Sequence, residues 1–311
     1  MKRFQEILYY VGGSSDQEQG LLEAARLARR NDAELTLLAV LPGSSGGPWL
    51  MLPGKAELEQ LVVTTRLQDL EEMAAPIAEE GVRVRVETTT GSPFVEITRR
   101  VVEEGYDLVM KTAQGPGSRL GGLLGTTALR LMRKCPVPVW VVKPTDGPRF
   151  RRILAPVDPD TDKPGALELS GRVVERAATL ARIYDSELHV VHAWWLFAES
   201  TLRGPRIQMP STEVESLLRE TEGNAQRALD TMLKDIDLSD VRHRVELIKG
   251  LPVEVISELT PHYDVVVMGT VSRSGVAGIL VGNTAESVLR RLDCSVLVVK
   301  PRDFQTPLRF S

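Results

Sequence analysis

Asp264-Val-Val-Val-Met268 runs into Gly269-Thr-Val-Ser272-Arg-Ser-Gly275-Val-Ala-Gly278-Ile-Leu-Val-Gly282. Asn283-Thr-Ala-Glu286 follows, and further on Ser295-Val-Leu-Val-Val299. The β-branched run predicts a strand, the glycine-rich stretch a loop, and the residues from Asn283 an amphipathic helix with a second apolar strand behind it. Asn283 with Glu286 three residues on is a capping-box pattern, which places the helix start and commits Glu286 to the backbone. Such a strand, loop and helix can hold anions. Glycines allow positive φ and close backbone approach, and the helix N-terminus adds partial positive charge. The same spacing also serves as a plain turn, so the pattern alone leaves phosphate binding open.

Working outward, the chain repeats itself. Phe4-Gln-Glu-Ile7-Leu-Tyr-Tyr-Val11 answers Phe150-Arg-Arg-Ile153-Leu-Ala-Pro-Val157, and Ala33-Glu-Leu-Thr-Leu-Leu-Ala-Val40 answers Ser186-Glu-Leu-His-Val-Val-His-Ala193. The Ala- and Arg-rich helical runs 21–30 and 173–182 correspond, as do Gly91-Ser-Pro93 and Gly250-Leu-Pro252. Tyr106-Asp107 pairs with Tyr263-Asp264, and Lys143-Pro144 with Lys300-Pro301. Six matches in one order imply a duplication. The domains are 1–144 and 150–301, joined by the breaker-rich linker 145–149.

Strands are predicted near 4–11, 34–40, 83–88, 107–111 and 138–143, and again near 151–157, 187–193, 243–248, 264–268 and 295–300. They alternate with helical patterns, so the fold class is α/β, with βαβ crossovers and a parallel sheet covered on both faces. In such a sheet ligands sit beyond the carboxyl ends of the strands, where the strand order reverses. The least repetitive segments, 42–53 and Trp194-Trp195-Leu-Phe197 through Pro210, read as loops whose apolar residues either form lids or partner-binding patches or, as is commoner, cover core edges and pack the halves together.

The 311 residues are 42% hydrophobic and 26% charged with a formal charge of −4, which gives no electrostatic footprint for nucleic acid. No apolar run approaches a membrane span or a signal peptide, so the expected compartment is the cytoplasm. Cys135 and Cys294 are too few for a disulfide framework and are expected as buried packing. His189, His192, His243 and His262 show no metal spacing and are expected to be structural. Neither a metal site nor a catalytic residue is expected.

Two halves with an Ile-Leu-x-x-Val opening strand, a Gly-x-Pro, an Asp-x-Val-x-Met strand and a glycine loop resemble the universal stress protein family, in its tandem-domain bacterial form. Cys135-Pro-Val-Pro-Val139 and the two Lys-Pro strand ends fit as well. The resemblance implies two doubly wound domains, each a five-stranded parallel sheet of order 3-2-1-4-5, with the two last strands meeting in an intramolecular pseudo-dimer; further self-association is compatible with it. It also implies adenine-nucleotide binding, with ATP and its magnesium as cofactor.

Nucleotide-binding members carry Gly-x2-Gly-x9-Gly followed by Ser or Thr, and an Asp after the first strand. The second half matches at Asp158, Gly269 and Gly282, with Ser272 for the middle glycine and Asn283, beside Thr284, for the final hydroxyl residue. The implied site places Asp158 at the adenosine, with Pro156, Val157, Ala193, Met268 and Gly269 lining it. Ser272, Gly282, Asn283 and Thr284 would surround the phosphates. In the first half Gly115, Gly125 and Thr126 keep the spacing, but Thr112 stands where the first glycine belongs, Gly12 replaces the Asp, and Lys111 is set against Gly269. That half is expected to be silent. A slow ATPase or phosphotransferase, and a scaffold for partners or non-nucleotide small molecules, stay open as alternatives. The loop lacks the Gly-Lys-Ser/Thr of a Walker sequence, and no Rossmann fingerprint follows either opening strand.

Overall fold

The computed structural model describes residues 4–12, 17–43, 55–113, 124–144, 150–160, 162, 165–270 and 283–310. Among them the chain forms two compact units. The first holds residues 4–144 together with 295–310, and the second holds 150–270 with 283–294.

The first unit runs β1 (Glu6–Tyr10), α1 (Glu18–Asn31), β2 (Glu34–Leu41), α2 (Lys55–Glu79), β3 (Arg83–Thr90), α3 (Pro93–Glu104), β4 (Leu108–Thr112), α4 (Gly125–Lys134) and β5 (Val139–Val142). The second runs β6 (Arg152–Val157), α5 (Ala166–Tyr184), β7 (Glu187–Trp194), α6 (Glu199–Arg203), α7 (Ser211–Leu233), β8 (His243–Lys249), α8 (Pro252–Leu259), β9 (Val265–Gly269) and α9 (Asn283–Arg291). The last strand, β10 (Ser295–Val299), belongs to the first unit. The ten strands expected from the repeat pattern are all present.

In the first unit the order is β3-β2-β1-β4-β5, all parallel, as the resemblance implied. β10 pairs antiparallel with β5, Val296 opposite Val141 and Val298 opposite Val139, so the two last strands meet. In the second unit β8-β7-β6-β9 are parallel in the corresponding order. Central strands such as Leu108-Val109-Met110 and Val265-Val266-Val267 are wholly buried, as a sheet covered on both faces requires. Each such side chain contributes about 1.5–3 kcal/mol by leaving water.

The repeated motifs have local causes. Asp107 accepts the backbone N–H groups of Gln5 and Glu6 at 2.8 and 3.2 Å, and Asp264 accepts that of Arg152 at 2.9 Å, so each Tyr-Asp motif caps the amino end of the opening strand. Gly91 and Gly250, with φ of +143° and +154°, turn the chain from the third strand of each half into a helix that begins at Pro93 or Pro252. A Cβ at Gly250 would also stand 2.7 Å from Val255 Cγ2.

The tyrosines preceding β4 and β9 anchor matching networks. Tyr106 donates to Thr36 Oγ1 at 3.0 Å and accepts from Arg85 at 3.5 Å. Tyr263 accepts from Arg244 at 2.7 Å and pairs with His189 Nδ1, while Glu246 Oε2 lies 3.1 Å from His189 Nε2. The strand registers make His189 the counterpart of Thr36, and Arg244 that of Arg85. His192 donates from Nδ1 to the Val157 carbonyl at 3.1 Å.

One expectation needs correction. The segment 195–210 carries α6, and its largest apolar residues are not packing: Trp194 is buried at the end of β7, but Trp195, Phe197 and Ile207 are exposed, Phe197 by 84%. The buried place at the strand end is taken by Trp194, and the residues beyond it leave the sheet. Most of 42–53 lies outside the described residues. Glu286 accepts from Arg290 Nη2 at 2.8 Å, one turn along α9; the expected capping partner, the Asn283 side chain, lies outside the described part.

Candidate functional site

The carboxyl ends of β7, β6 and β9 lie side by side, and the strand order reverses between β6 and β9. β6 registers Ile153 with Val265 and Leu154 with Val266, so the same ladder carried forward sets Pro156 level with Met268 and Val157 with Gly269. On the other side Val157 registers with His192, which places Ala193 beside the strand end. Pro156, Val157, Ala193 and Met268 are buried apolar residues at these strand ends. Asp158, the next residue of the chain, is exposed, and its backbone N–H donates to Ser170 Oγ of α5 at 3.2 Å. Six of the ten expected site residues therefore come together on three adjacent strand ends.

Gly269 is explained by packing. It lacks a positive φ, but a Cβ there would stand 2.7 Å from Leu169 Cδ2 and 2.8 Å from Cγ. The first half makes the same helix-to-strand approach with the small residue on the helix: a Cβ at Gly20 would stand 2.0 Å from Thr112 Oγ1. Of the remaining expected residues, Thr284 is half-buried at the start of α9. Asn283 opens that helix, with its side chain outside the described part, and Ser272 and Gly282 lie outside the described residues. Lys249, at the end of β8, pairs with Glu199 at 2.8 Å and lies 6.0 Å over the Trp194 ring. Among the described residues no three His, Cys, Asp or Glu side chains are placed to hold a metal ion.

The corresponding place in the first unit is chemically inverted. The register of β1 with β4 makes Thr112 the counterpart of Gly269 and Lys111 the counterpart of Met268, which corrects the alignment that set Lys111 against Gly269. Thr112 is tied to Tyr9 at 2.7 Å, and the Tyr9 hydroxyl reaches the Gln17 carbonyl at 3.1 Å. Lys111 is 6% exposed and donates to the Thr112 carbonyl; burial pulls its amine down to about 8. Arg66 of α2 reaches the Val11 and Gly12 carbonyls at 3.4 and 3.3 Å and pairs with Asp69 at 3.3 Å. Sequence pattern gave no sign of Arg66, because it comes from a helix far along the chain.

The profile of the universal stress protein family matches twice, over residues 3–143 and 149–300. The chain belongs to the universal stress protein family. It is similar to universal stress protein E of Escherichia coli K12, at 30% identity over 99% of this chain and 98% of that one. A Pseudomonas aeruginosa PAO1 protein of unknown function is 25% identical, with a TM-score of 0.66 over 97% of this chain and 94% of its own. A universal stress protein from Archaeoglobus fulgidus shares the fold at 20% identity, with a TM-score of 0.62 over 95% of this chain and 97% of its own. The Thr36-to-His189 and Lys111-to-Met268 differences thus lie between two universal stress protein repeats of one chain.

Proposed function

We propose that this universal stress protein acts as a cytoplasmic binding and regulatory module whose second half holds an adenine nucleotide. The observation that supports it is Asp158: an exposed carboxylate at the point where the strand order reverses, beside the buried apolar strand ends at Pro156, Val157, Ala193 and Met268, which would supply the floor of the site. A flat, largely apolar base suits such a floor, and a carboxylate at its rim suits the paired hydroxyls of a ribose. Gly282, Asn283, Thr284 and Ser272 would meet the phosphates, and magnesium would arrive on the nucleotide.

Holding is distinct from turnover. Fast phosphoryl transfer needs dedicated metal ligands, a cation at the transferring phosphate and a positioned base or water. Of these, the metal ligands are not found as a group of three His, Cys, Asp or Glu side chains among the described residues. Mass spectrometry of the denatured protein should therefore reveal co-purified adenine nucleotide, and calorimetry should show ATP affinity falling at least tenfold in Asp158→Ala. Unchanged affinity in that variant would place the site elsewhere. Phosphate release near the ~1–1000 per second of ordinary enzymes, abolished by Gly282→Val, would overturn the binding reading in favour of an ATPase.

A further inference from the structure

The first unit carries a buried cation where the second carries methionine. Lys111 lies at the carboxyl end of β4, registered with Tyr10 of β1 across the line where the strand order reverses. It is 6% exposed, almost as enclosed as Met268 at 4%. Its amine has three hydrogens to donate, and the partner seen among the described residues is one carbonyl, that of Thr112. Among the described residues no carboxylate pairs with it, and burial lowers its proton affinity. An enclosed ammonium is costly unless paired, and groups so perturbed cluster at functional sites.

The surroundings share its sign. Arg66 brings a guanidinium to the end of β1, at the Val11 and Gly12 carbonyls; burial raises the pKa of the neighbouring Tyr10 phenol and Arg66 offsets part of that rise. Gly12 stands where the second half has Asp158, so the carboxylate that would repel an anion is missing. A nucleoside loses its ribose acceptor here, whereas a small anion gains the Lys111 ammonium, with a second cation, Arg66, at the end of the neighbouring strand.

We infer that the first half is a ligand site of its own, taking a small oxyanion, carboxylate or phosphate, at Lys111 with Arg66 beside it. The anion and the ammonium neutralise one another inside the fold, so binding raises the proton affinity of Lys111. Binding then weakens as pH rises through the lysine's free value of about 8.

The test is calorimetric titration of the full chain with inorganic phosphate and, separately, with acetate. Saturable binding of either probe at pH 7 is expected, weakened at least tenfold in Lys111→Met, weakened again at pH 9.5 (above the free value of about 8), and retained in Asp158→Ala. The probe that binds tells phosphate from carboxylate. Lys111→Met installs the residue that the second half tolerates, and its melting curve verifies folding; Arg66→Gln supplies a second variant, expected to weaken binding less. Saturation by neither probe in the millimolar range overturns the proposal. So does binding that Lys111→Met leaves intact or that Asp158→Ala abolishes.

Discussion

Leu169 of α5 occupies the space over Gly269 that a side chain at that position would need, with Cδ2 2.7 Å from where a Cβ would stand. The glycine at the strand end is therefore required by the protein's own helix, whatever the loop beyond it binds. In the first unit Gly20 and Thr112 exchange the roles, helix small and strand large. One approach of first helix to fourth strand has been solved twice, from opposite sides.

Gly269→Ala should destabilise the protein by about 1–3 kcal/mol, the usual range for overpacking. Leu169→Ala in the same chain should recover part of the loss despite its own cavity cost. Urea denaturation of the four members of the cycle measures the coupling; strictly additive effects would show that the contact carries no energy.

His189 sets a pH dependence. Burial, foremost, holds the folded-state pKa of this imidazole below its ordinary value, with Arg244 acting in the same sense and Glu246 and Glu187 opposing. The unfolded chain thus takes up the proton first. Stability is full above the unfolded value of about 6.5 and falls as the solution is acidified below it. His189→Thr, which copies Thr36 of the other network, should flatten this acid limb in melting experiments between about pH 6.5 and 5. An identical acid limb would put the dependence on other groups.

Lys300 works at the alkaline side. Its Nζ donates to the Met132 carbonyl at the end of α4 and lies 4.9 Å over the Phe304 ring, and burial lowers its amine to about 7. The unfolded chain keeps that proton up to about 10.5, so between about 7 and 10.5 stability rises with pH. Lys300→Met should reduce the slope across that window by up to one proton, read from denaturation midpoints at several pH values. A slope unchanged by the substitution would show that Lys300 is charged inside the fold.

The fold was legible because each half writes the same strands and breakers, and periodicity survives the loss of individual motif residues. The strand-end residues from Pro156 to Gly269 were legible for the same reason. Lys111 was set one residue off, although counting on from the paired Asp107 and Asp264 puts it level with Met268, as the ladder between β1 and β4 does. The rest of what sequence misread depended on three-dimensional neighbours. Gly269 looked like a backbone-conformation glycine, because Leu169 lies 100 residues away. Phe197 looked like packing, because its apolar character says nothing about which of three neighbouring aromatic residues the strand end can bury.

The antiparallel pairing of β5 with β10 has a consequence for biosynthesis. About 150 residues separate Val142 from Ser295, so at 5–20 residues per second roughly ten to thirty seconds pass between the synthesis of the two strands. Through that interval the nascent first unit presents Val139-Trp140-Val141-Val142, a wholly apolar segment, with one rim of hydrogen-bonding groups unmatched. Such a rim is a template for the wrong partner, including the same segment on a neighbouring ribosome. Quality control of this chain is consequently a matter of timing, and the emergence of β10 is the event that closes its first half.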